Sequence, residues 1–274
     1  NTQNGGDEVT ISGGSQNVDT GTGEDIVSVS DGTTSLSTGA DNDVIDISGG
    51  INTLNSGLGD DTVSLSGGDN KVNSGSGNDT ISLVSGENII NAGEGDDIIT
   101  ASGGENELDG GPGNDRLNII SSGVVTLPIA ANVESFFISD TVHQSLDFSF
   151  STSLNSIELD SGTTVDNATI DTALGSGQSL TLDSITDGDT ASASLSDGGI
   201  KISQANSITA LNLTLDDIGP ASAITNSNLF IDIAGEAVTT ANITSANDSF
   251  IVLENSGAIL NTLNLTGSGT LGII

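Results

Sequence analysis

The sequence predicts an all-β protein: a parallel β-solenoid over the first half of the chain, followed by a less regular β-strand region. Three observations lead to this prediction. Residues 2–127 divide into seven blocks that follow one 18-residue pattern. Within the blocks Val, Ile and Leu recur at every second position, which is the spacing of side chains on one face of a strand. The later residues alternate apolar and polar side chains in short runs, and no stretch has a convincing helical pattern.

The amino-acid composition excludes some classes of binding partner and favours others. The 274 residues include 38 acidic and three basic side chains, for a formal net charge of -35. Nucleic acids and anionic lipids are excluded as direct partners, because phosphate recognition needs a basic surface. Divalent cations are favoured instead. The chain has no Cys, so it forms no disulfide and no thiolate metal site. It contains no apolar run of about 18 residues that would span a membrane, and no N-terminal signal peptide is visible.

The first half of each block follows the pattern x-G-x-G-x-D-x-U-x, where U is apolar. The sixth position is Asp in every block. These residues are Asp7, Asp25, Asp43, Asp61, Asp79, Asp97 and Asp115. Apolar residues follow at the eighth position and at the second position after it, for example Val27 and Val29. A single coil cannot bury such a strand alone, so the blocks must stack on one another.

Glycines precede each of these aspartates. At the second and fourth positions they are Gly21, Gly23, Gly39, Gly57, Gly59, Gly75, Gly77, Gly93, Gly95, Gly111 and Gly113. We interpret them as turns whose backbone adopts positive φ and approaches a cation. Backbone carbonyls and one carboxylate per turn provide the hard oxygen ligands that Ca²⁺ prefers. A merely solvated acidic face is the alternative, but seven carboxylates stacked without cations would repel one another. These residues, with Asp41, are the predicted metal ligands.

The blocks resemble the RTX family, whose nonapeptide is G-G-x-G-x-D-x-U-x. The resemblance covers residues 1–127. It implies a right-handed parallel β-roll, in which each nonapeptide forms a glycine-rich turn and a short strand, and two nonapeptides complete one coil. It also implies calcium as the cofactor and export by a one-step type I system, with folding outside the cell where calcium is plentiful.

The second half of each block departs from the RTX pattern. It reads approximately x-S-G-G-x-N-x-U-x, and its sixth position is never acidic. The residues there are Gln16, Thr34, Asn52, Asn70, Asn88 and Asn106. A neutral amide is a poor substitute for a carboxylate, whereas stacked Asn side chains hydrogen-bond along a column. We therefore expect calcium along one edge of the roll only, with up to six ions in the six gaps between seven turns, and an amide ladder along the other edge.

Asp41 interrupts the glycine pattern. It occupies the fourth position of the third block, where the other blocks have Gly. The sequence leaves two interpretations open: either this turn is strained, or the additional carboxylate contributes to the metal site.

The chain changes character near Pro128. All six Phe residues lie beyond it, and residues 128–274 are rich in Thr, Ser and Asn. A loose motif begins at Val133, Leu154, Ile208 and Leu260. We expect an irregular β-solenoid with rungs of about 18–26 residues, continuing the roll of residues 1–127, with a β-sandwich as the alternative. This part resembles the Thr/Ser-rich segments beside RTX repeats in bacterial surface-layer proteins.

The sequence indicates a structural protein rather than an enzyme. His143 is the single His, and no G-x-S-x-G nucleophile motif accompanies it. Three roles compete: a secreted bacterial surface-layer protein, a rigid extender or binding module of a large adhesin, and the non-catalytic module of a secreted enzyme or toxin. We expect the first, with lateral homo-assembly through calcium at the cell surface. Any anchor to cell-surface polysaccharide would lie outside these residues.

Overall fold

The structure is a computed structural model, and the chain divides into two compact units. The first comprises Asn1–Ile119 with Pro128–Val133, and the second comprises Ile120–Leu127 with Glu134–Ile274. The structure describes residues 3–120, 129–139, 146–147, 156–159, 164–165, 168–172, 179–183, 186–187, 200–204, 210–216, 229–234, 239–245, 249–254, 261–268 and 271–273. His143 lies outside these residues. Within them, no helix has the length and hydropathy of a membrane span.

Two parallel sheets form the first unit. The first sheet contains β1 (Gln3–Asn4), β3 (Ser15–Thr22), β5 (Thr33–Ala40), β7 (Ile51–Leu58), β9 (Asp69–Ser76), β11 (Glu87–Glu94), β13 (Glu105–Asp109) and β15 (Ile129–Ala131). The second contains β2 (Glu8–Ile11), β4 (Ile26–Val29), β6 (Val44–Ile47), β8 (Thr62–Leu65), β10 (Thr80–Leu83), β12 (Ile98–Ala101) and β14 (Arg116–Ile120). The chain alternates between the sheets, and each strand pairs with the strand one block later. The predicted parallel β-roll is confirmed.

The core follows the apolar positions of the repeat. Val27 and Val29 of β4 are 0% and 2% exposed, and Leu36 of the facing sheet is 3% exposed. Equivalent residues of the later coils repeat this pattern, for example Ile81, Leu83 and Ile90. Successive coils pair in the register of the sequence repeat, so each core side chain stacks on its counterpart.

Glycine is required in the turns by both conformation and space. Gly57, at the second position, has a φ of 118°, and Gly77, at the fourth position, has a φ of 132°. A Cβ atom at Gly57 would collide with the carbonyl oxygen of Gly39, and one at Gly77 with that of Gly59. Close stacking of neighbouring turns therefore excludes larger residues at these positions.

The last coil of the first unit is longer than expected. By sequence alone, the second half of the seventh block departs from the 18-residue pattern after Ile119 and fits it best with one additional residue, which would place Leu127 beside Leu108. In the structure Ala130 pairs with Leu108 instead. This detail of the prediction is wrong. The small residues of β15 continue the first sheet, and Leu127 does not take the position beside Leu108.

The second unit is also built from parallel strands. Its strands are β16 (Ser135–Ser139), β17 (Leu146–Asp147), β18 (Ser156–Leu159), β19 (Thr164–Val165), β20 (Ala168–Thr172), β21 (Ser179–Asp183), β22 (Thr186–Asp187), β23 (Ile200–Gln204), β24 (Ala210–Asp216), β25 (Leu229–Ala234), β26 (Thr240–Ser245), β27 (Ser249–Glu254), β28 (Thr262–Gly267) and β29 (Leu271–Ile273). They include a six-stranded sheet, β17-β20-β23-β25-β27-β29, and a four-stranded sheet, β21-β24-β26-β28. Every described pairing is parallel, which favours the solenoid over the sandwich.

The rungs of the second unit are less regular than predicted. Ser135 pairs with Ser156 at a 21-residue offset, which matches the spacing of the first two motif copies. Asn242 pairs with Asn264 at a 22-residue offset, whereas Asn212 pairs with Asn242 at a 30-residue offset. The expected upper limit of the rung length is therefore wrong for part of this unit, where longer connections separate the strands.

Candidate metal sites along the aspartate edge

The seven aspartates of the repeat lie in one column, at the edge where the first sheet leads into the second. Six of them, one per coil from Asp25 through Asp115, are each 1% exposed, and Asp7 is half-buried. The backbone amides of the first six aspartates, from Asp7 to Asp97, each donate to Oδ1 of the aspartate one coil later. The distance is 2.9 Å from Asp25 to Asp43 and 2.7 Å from Asp79 to Asp97. The six accepting carboxylates are therefore each fixed in the gap between their own coil and the preceding one.

The second oxygen of these carboxylates is buried without a hydrogen-bond partner. This holds for Oδ2 of Asp7, Asp25, Asp43, Asp61, Asp79 and Asp97. Buried polar atoms are almost always paired, and a buried charge is costly unless a counter-charge lies nearby. A column of such oxygens fits a hard divalent cation, which would supply the missing positive charge.

Side chains alone do not complete a metal site. Within the described residues, no three His, Cys, Asp or Glu side chains converge as a preformed ligand set. A site on this edge would therefore combine the column carboxylates with backbone carbonyls of the glycine turns. The predicted glycines lie there: Gly57 and Gly75, for example, pair with each other near the ends of β7 and β9, and Gly77 follows directly after β9.

A column of hydroxyl groups lies beside the aspartates, and the sequence analysis did not identify it. The residues are Thr20, Thr38, Ser56 and Ser74 at the first position of the block, and all are 0% exposed. The Thr20 hydroxyl donates to the Thr38 carbonyl at 3.1 Å, and the Ser56 hydroxyl to the Ser74 carbonyl at 3.0 Å. The sequence did contain a signal for this column: Thr or Ser occupies the first position in these blocks, where the RTX pattern has glycine.

The structure shows a strained backbone at Asp41, as one of the two interpretations expected, and it shows where the carboxylate lies. Its φ is 80°, a conformation that side chains other than Gly, Asn and Asp rarely adopt. Its Oδ2 accepts a hydrogen bond from the Gly23 amide of the preceding coil at 3.1 Å. The turn is therefore unfavourable for the backbone, and the carboxylate is held between the second and third coils.

Burial makes the aspartates difficult to ionise without a cation. Burial raises the pKa of Asp43 and Asp61, while the hydrogen bonds that they accept from the backbone amides of Asp25 and Asp43 oppose the rise. Burial raises the pKa of Asp79 to about 7, and the charges of Asp97 and Asp61 add to this effect. The pKa of Asp97 is also raised by burial.

The opposite edge carries the predicted amide ladder. Asn52 Nδ2 donates to Asn70 Oδ1 at 2.8 Å, Asn70 to Asn88 at 2.9 Å, and Asn88 to Asn106 at 2.8 Å. The same nitrogen of Asn70 also donates to the Gly67 carbonyl of its own turn at 3.1 Å. An amide has both a donor and an acceptor, so it satisfies its neighbours without an ion.

Comparison with known families agrees with this geometry. A family model for the RTX calcium-binding nonapeptide repeat (4 copies) matches residues 46–81 and 84–117. The chain carries RTX calcium-binding repeats. RTX repeats bind calcium, and they form a structural module typical of secreted proteins. No curated protein and no solved structure matches the chain.

Replacing Asn70 with Ala should destabilise the roll without changing the number of bound calcium ions. The substitution removes the donor to Asn88 Oδ1 and one of the two acceptors of Asn52 Nδ2, which retains the Gly49 carbonyl, at a cost of about 1–3 kcal/mol. Denaturant unfolding in millimolar calcium and calcium titration measure the two effects. Asn73→Ala is the control, because Asn73 belongs to an exposed column of amides. Loss of calcium ions in Asn70→Ala would contradict the assignment of this edge as ion-free.

The RTX roll without calcium should become more stable as the pH falls. Because the folded-state pKa values of Asp43, Asp61, Asp79 and Asp97 are raised, protonation favours the folded state. This contribution is complete below the unfolded pKa of about 3.9 and is lost as the pH rises through the folded values, about 7 for Asp79. In EDTA, the β-sheet circular dichroism signal of the first unit should therefore increase between pH 7.5 and pH 5. In calcium, which needs the ionised form, the increase should be smaller or reversed. A signal in EDTA that decreases with acidification would contradict this account.

Proposed function

We propose that this RTX protein is a calcium-dependent, secreted structural protein that contributes to a bacterial cell-surface layer, with no catalytic role. The observation that carries the proposal is the buried aspartate column with unpartnered Oδ2 atoms. Such a column is unfavourable in the absence of cations and favourable in their presence. A fold built on it depends on calcium, which is abundant outside the cell and scarce inside.

Calcium would supply the positive charge that the aspartate edge lacks. The column carboxylates, from Asp7 to Asp115, and the carbonyl oxygens of the glycine turns would hold the ions. Six ions carry 12 positive charges and would bring the formal net charge from -35 to -23. Because a preformed site does not exist in the unfolded chain, the binding free energy contributes directly to folding. The chain would stay unfolded during type I export and fold outside the cell.

One face of the roll supports contact between copies of the chain. The outward residues of β4, β6, β8, β10 and β12 include Ile26, Val44, Thr62, Thr80 and Ile98, and Asp46 is the only charged residue among them. Ile26, Val44 and Ile98 are 53%, 47% and 42% exposed. The first sheet instead presents acidic side chains such as Asp69, Glu87 and Glu105. In a strongly anionic protein, copies would meet most favourably through the face with the fewest charges.

Removal of calcium should unfold the first unit. The full chain in millimolar calcium should show a strong β-sheet circular dichroism signal, which EDTA should reduce and added calcium should restore. Asp79→Asn should require more calcium for the same signal, because one column carboxylate is lost. A spectrum that EDTA leaves unchanged at pH 7.5 would refute calcium-dependent folding.

The full chain should assemble when calcium is added, and an additional negative charge on the outward face of the second sheet should prevent assembly. Light scattering and electron microscopy across a calcium titration measure the assembly. Thr80→Glu should abolish it by introducing like charges at the contact, whereas Thr33→Glu, on the outward face of the first sheet, should not. A chain that stays monomeric in millimolar calcium at high concentration would refute the surface-layer role. The rigid roll would then be the extender of a large adhesin.

A further inference from the structure

The gaps between coils on the aspartate edge differ in charge. The coils are numbered by their first residues: coil 2 begins at Thr20, coil 3 at Thr38, coil 4 at Ser56, coil 5 at Ser74, coil 6 at Ala92 and coil 7 at Gly110. Gap 2/3 denotes the space between coils 2 and 3, and the others are named likewise. Hydrogen-bond direction shows which gap each acidic side chain occupies.

Column aspartates face the preceding coil. Asp43 accepts the Asp25 amide, so its carboxylate lies in gap 2/3. Asp79 accepts the Asp61 amide at 2.8 Å and lies in gap 4/5. By the same pattern Asp61 lies in gap 3/4, Asp97 in gap 5/6 and Asp115 in gap 6/7. Each of these gaps therefore receives one column carboxylate.

Side chains at the fifth position face the opposite way. Asn42 Oδ1 accepts the Asp60 amide at 2.8 Å, and Asp60 Oδ1 accepts the Asn78 amide at 2.7 Å. Asn78 and Asp96 continue this second ladder to the next coils. Each of these four side chains therefore lies in the gap that follows its own coil, beside the column carboxylate of the next coil.

Together the two ladders produce an alternation. Gap 4/5 holds Asp79 and Asp60, and gap 6/7 holds Asp115 and Asp96, so each contains two carboxylates. Gap 2/3 also holds two, because Asp41 reaches the Gly23 amide beside Asp43. Gap 3/4 instead pairs Asp61 with the amide of Asn42, and gap 5/6 pairs Asp97 with the amide of Asn78.

Two observations indicate that the gaps with two carboxylates are suited to bind a cation. Asp43 and Asp79 are each 1% exposed, and their Oδ2 atoms have no hydrogen-bond partner. The carboxylate of Asp60 lies in the same gap as that of Asp79, and the carboxylate of Asp41 lies in the same gap as that of Asp43. The second carboxylate of each gap is thus within electrostatic reach of the buried one.

We propose that the calcium sites alternate in affinity along the aspartate edge, with tight sites in gaps 2/3, 4/5 and 6/7 and weaker sites in gaps 3/4 and 5/6. The inference rests on the proposed calcium binding and adds a second class of site to it. Two carboxylates balance the charge of one divalent ion, whereas one leaves it in excess, and ligand charge is a main determinant of calcium affinity.

Alternation also reduces repulsion between the ions. Neighbouring gaps are separated by one strand spacing, about 4.8 Å, so ions in every gap would repel strongly. Filling every second gap first doubles the separation to about 9.6 Å and halves the Coulomb energy at equal dielectric constant. The weaker sites then fill only at higher calcium concentrations.

Asp60→Asn tests the proposal, because it keeps an Oδ1 acceptor for the Asn78 amide and removes only the charge. Calorimetric titration of the full chain with calcium should show the tight class reduced from three ions to two, with the affinity of the altered gap lowered on the order of tenfold. In EDTA the variant should be at least as stable as the original chain, since repulsion with Asp61 and Asp79 is removed. Asp69→Asn is the matched control, because it makes the same charge change on the outward face of β9.

Asn78→Asp tests the same rule in the opposite direction. It should convert gap 5/6 into a fourth tight site and lower stability in EDTA. Equal titrations for the original chain, Asp60→Asn and Asn78→Asp, with calcium still bound, would overturn the alternation and leave calcium binding intact. No calcium binding by the original chain would overturn the proposed function itself.

Discussion

Parallel pairing in one constant register places each side chain of the first unit on its own counterpart in the next coil. The structure depends on this constraint, because the residue type at each position of the repeat becomes a column of identical or similar side chains along the roll. Apolar columns gain from it, since Val, Ile and Leu bury one another. Glycine columns are obligatory, since the turns approach too closely for a Cβ atom.

Whether a stacked column of polar side chains is satisfied depends on the hydrogen-bond donors and acceptors that each side chain carries. An Asn side chain offers a donor to one neighbour and an acceptor to the other, so successive side chains from Asn52 to Asn106 satisfy one another, and Oδ1 of Asn52 at the end of the column is left without a partner. A carboxylate offers acceptors only, so the column from Asp25 to Asp97 takes one backbone amide per residue and retains one unpartnered oxygen. The same register therefore produces one edge whose side chains bond to one another and one that needs cations.

The sequence predicted those features that depend on side-chain identity at a fixed period. Three features follow from the repeat length and the residue type at each repeat position: the parallel roll, the amide ladder, and the core positions such as Val27 and Leu36. The structure contains all three. Features that depend on which neighbouring coil a side chain faces could not be predicted from the repeat. Nothing in the order of residues shows that Asp60 faces the following coil while Asp61 faces the preceding one. The second unit departs from prediction because its connections vary in length, so the long rung between Asn212 and Asn242 has no signature in a periodic search.

The amide ladder has a consequence for how the roll responds when its ions leave. Its hydrogen bonds involve only neutral groups, and they join four successive coils through Asn52, Asn70, Asn88 and Asn106. The two long seams of the roll therefore differ: one is held by ions and one is held by amides. Loss of ions removes what holds the first seam, whereas the hydrogen bonds of the second do not depend on ions. When the chain folds, pairing within the amide column favours the same register that aligns the aspartates, so it limits register errors before the ions bind.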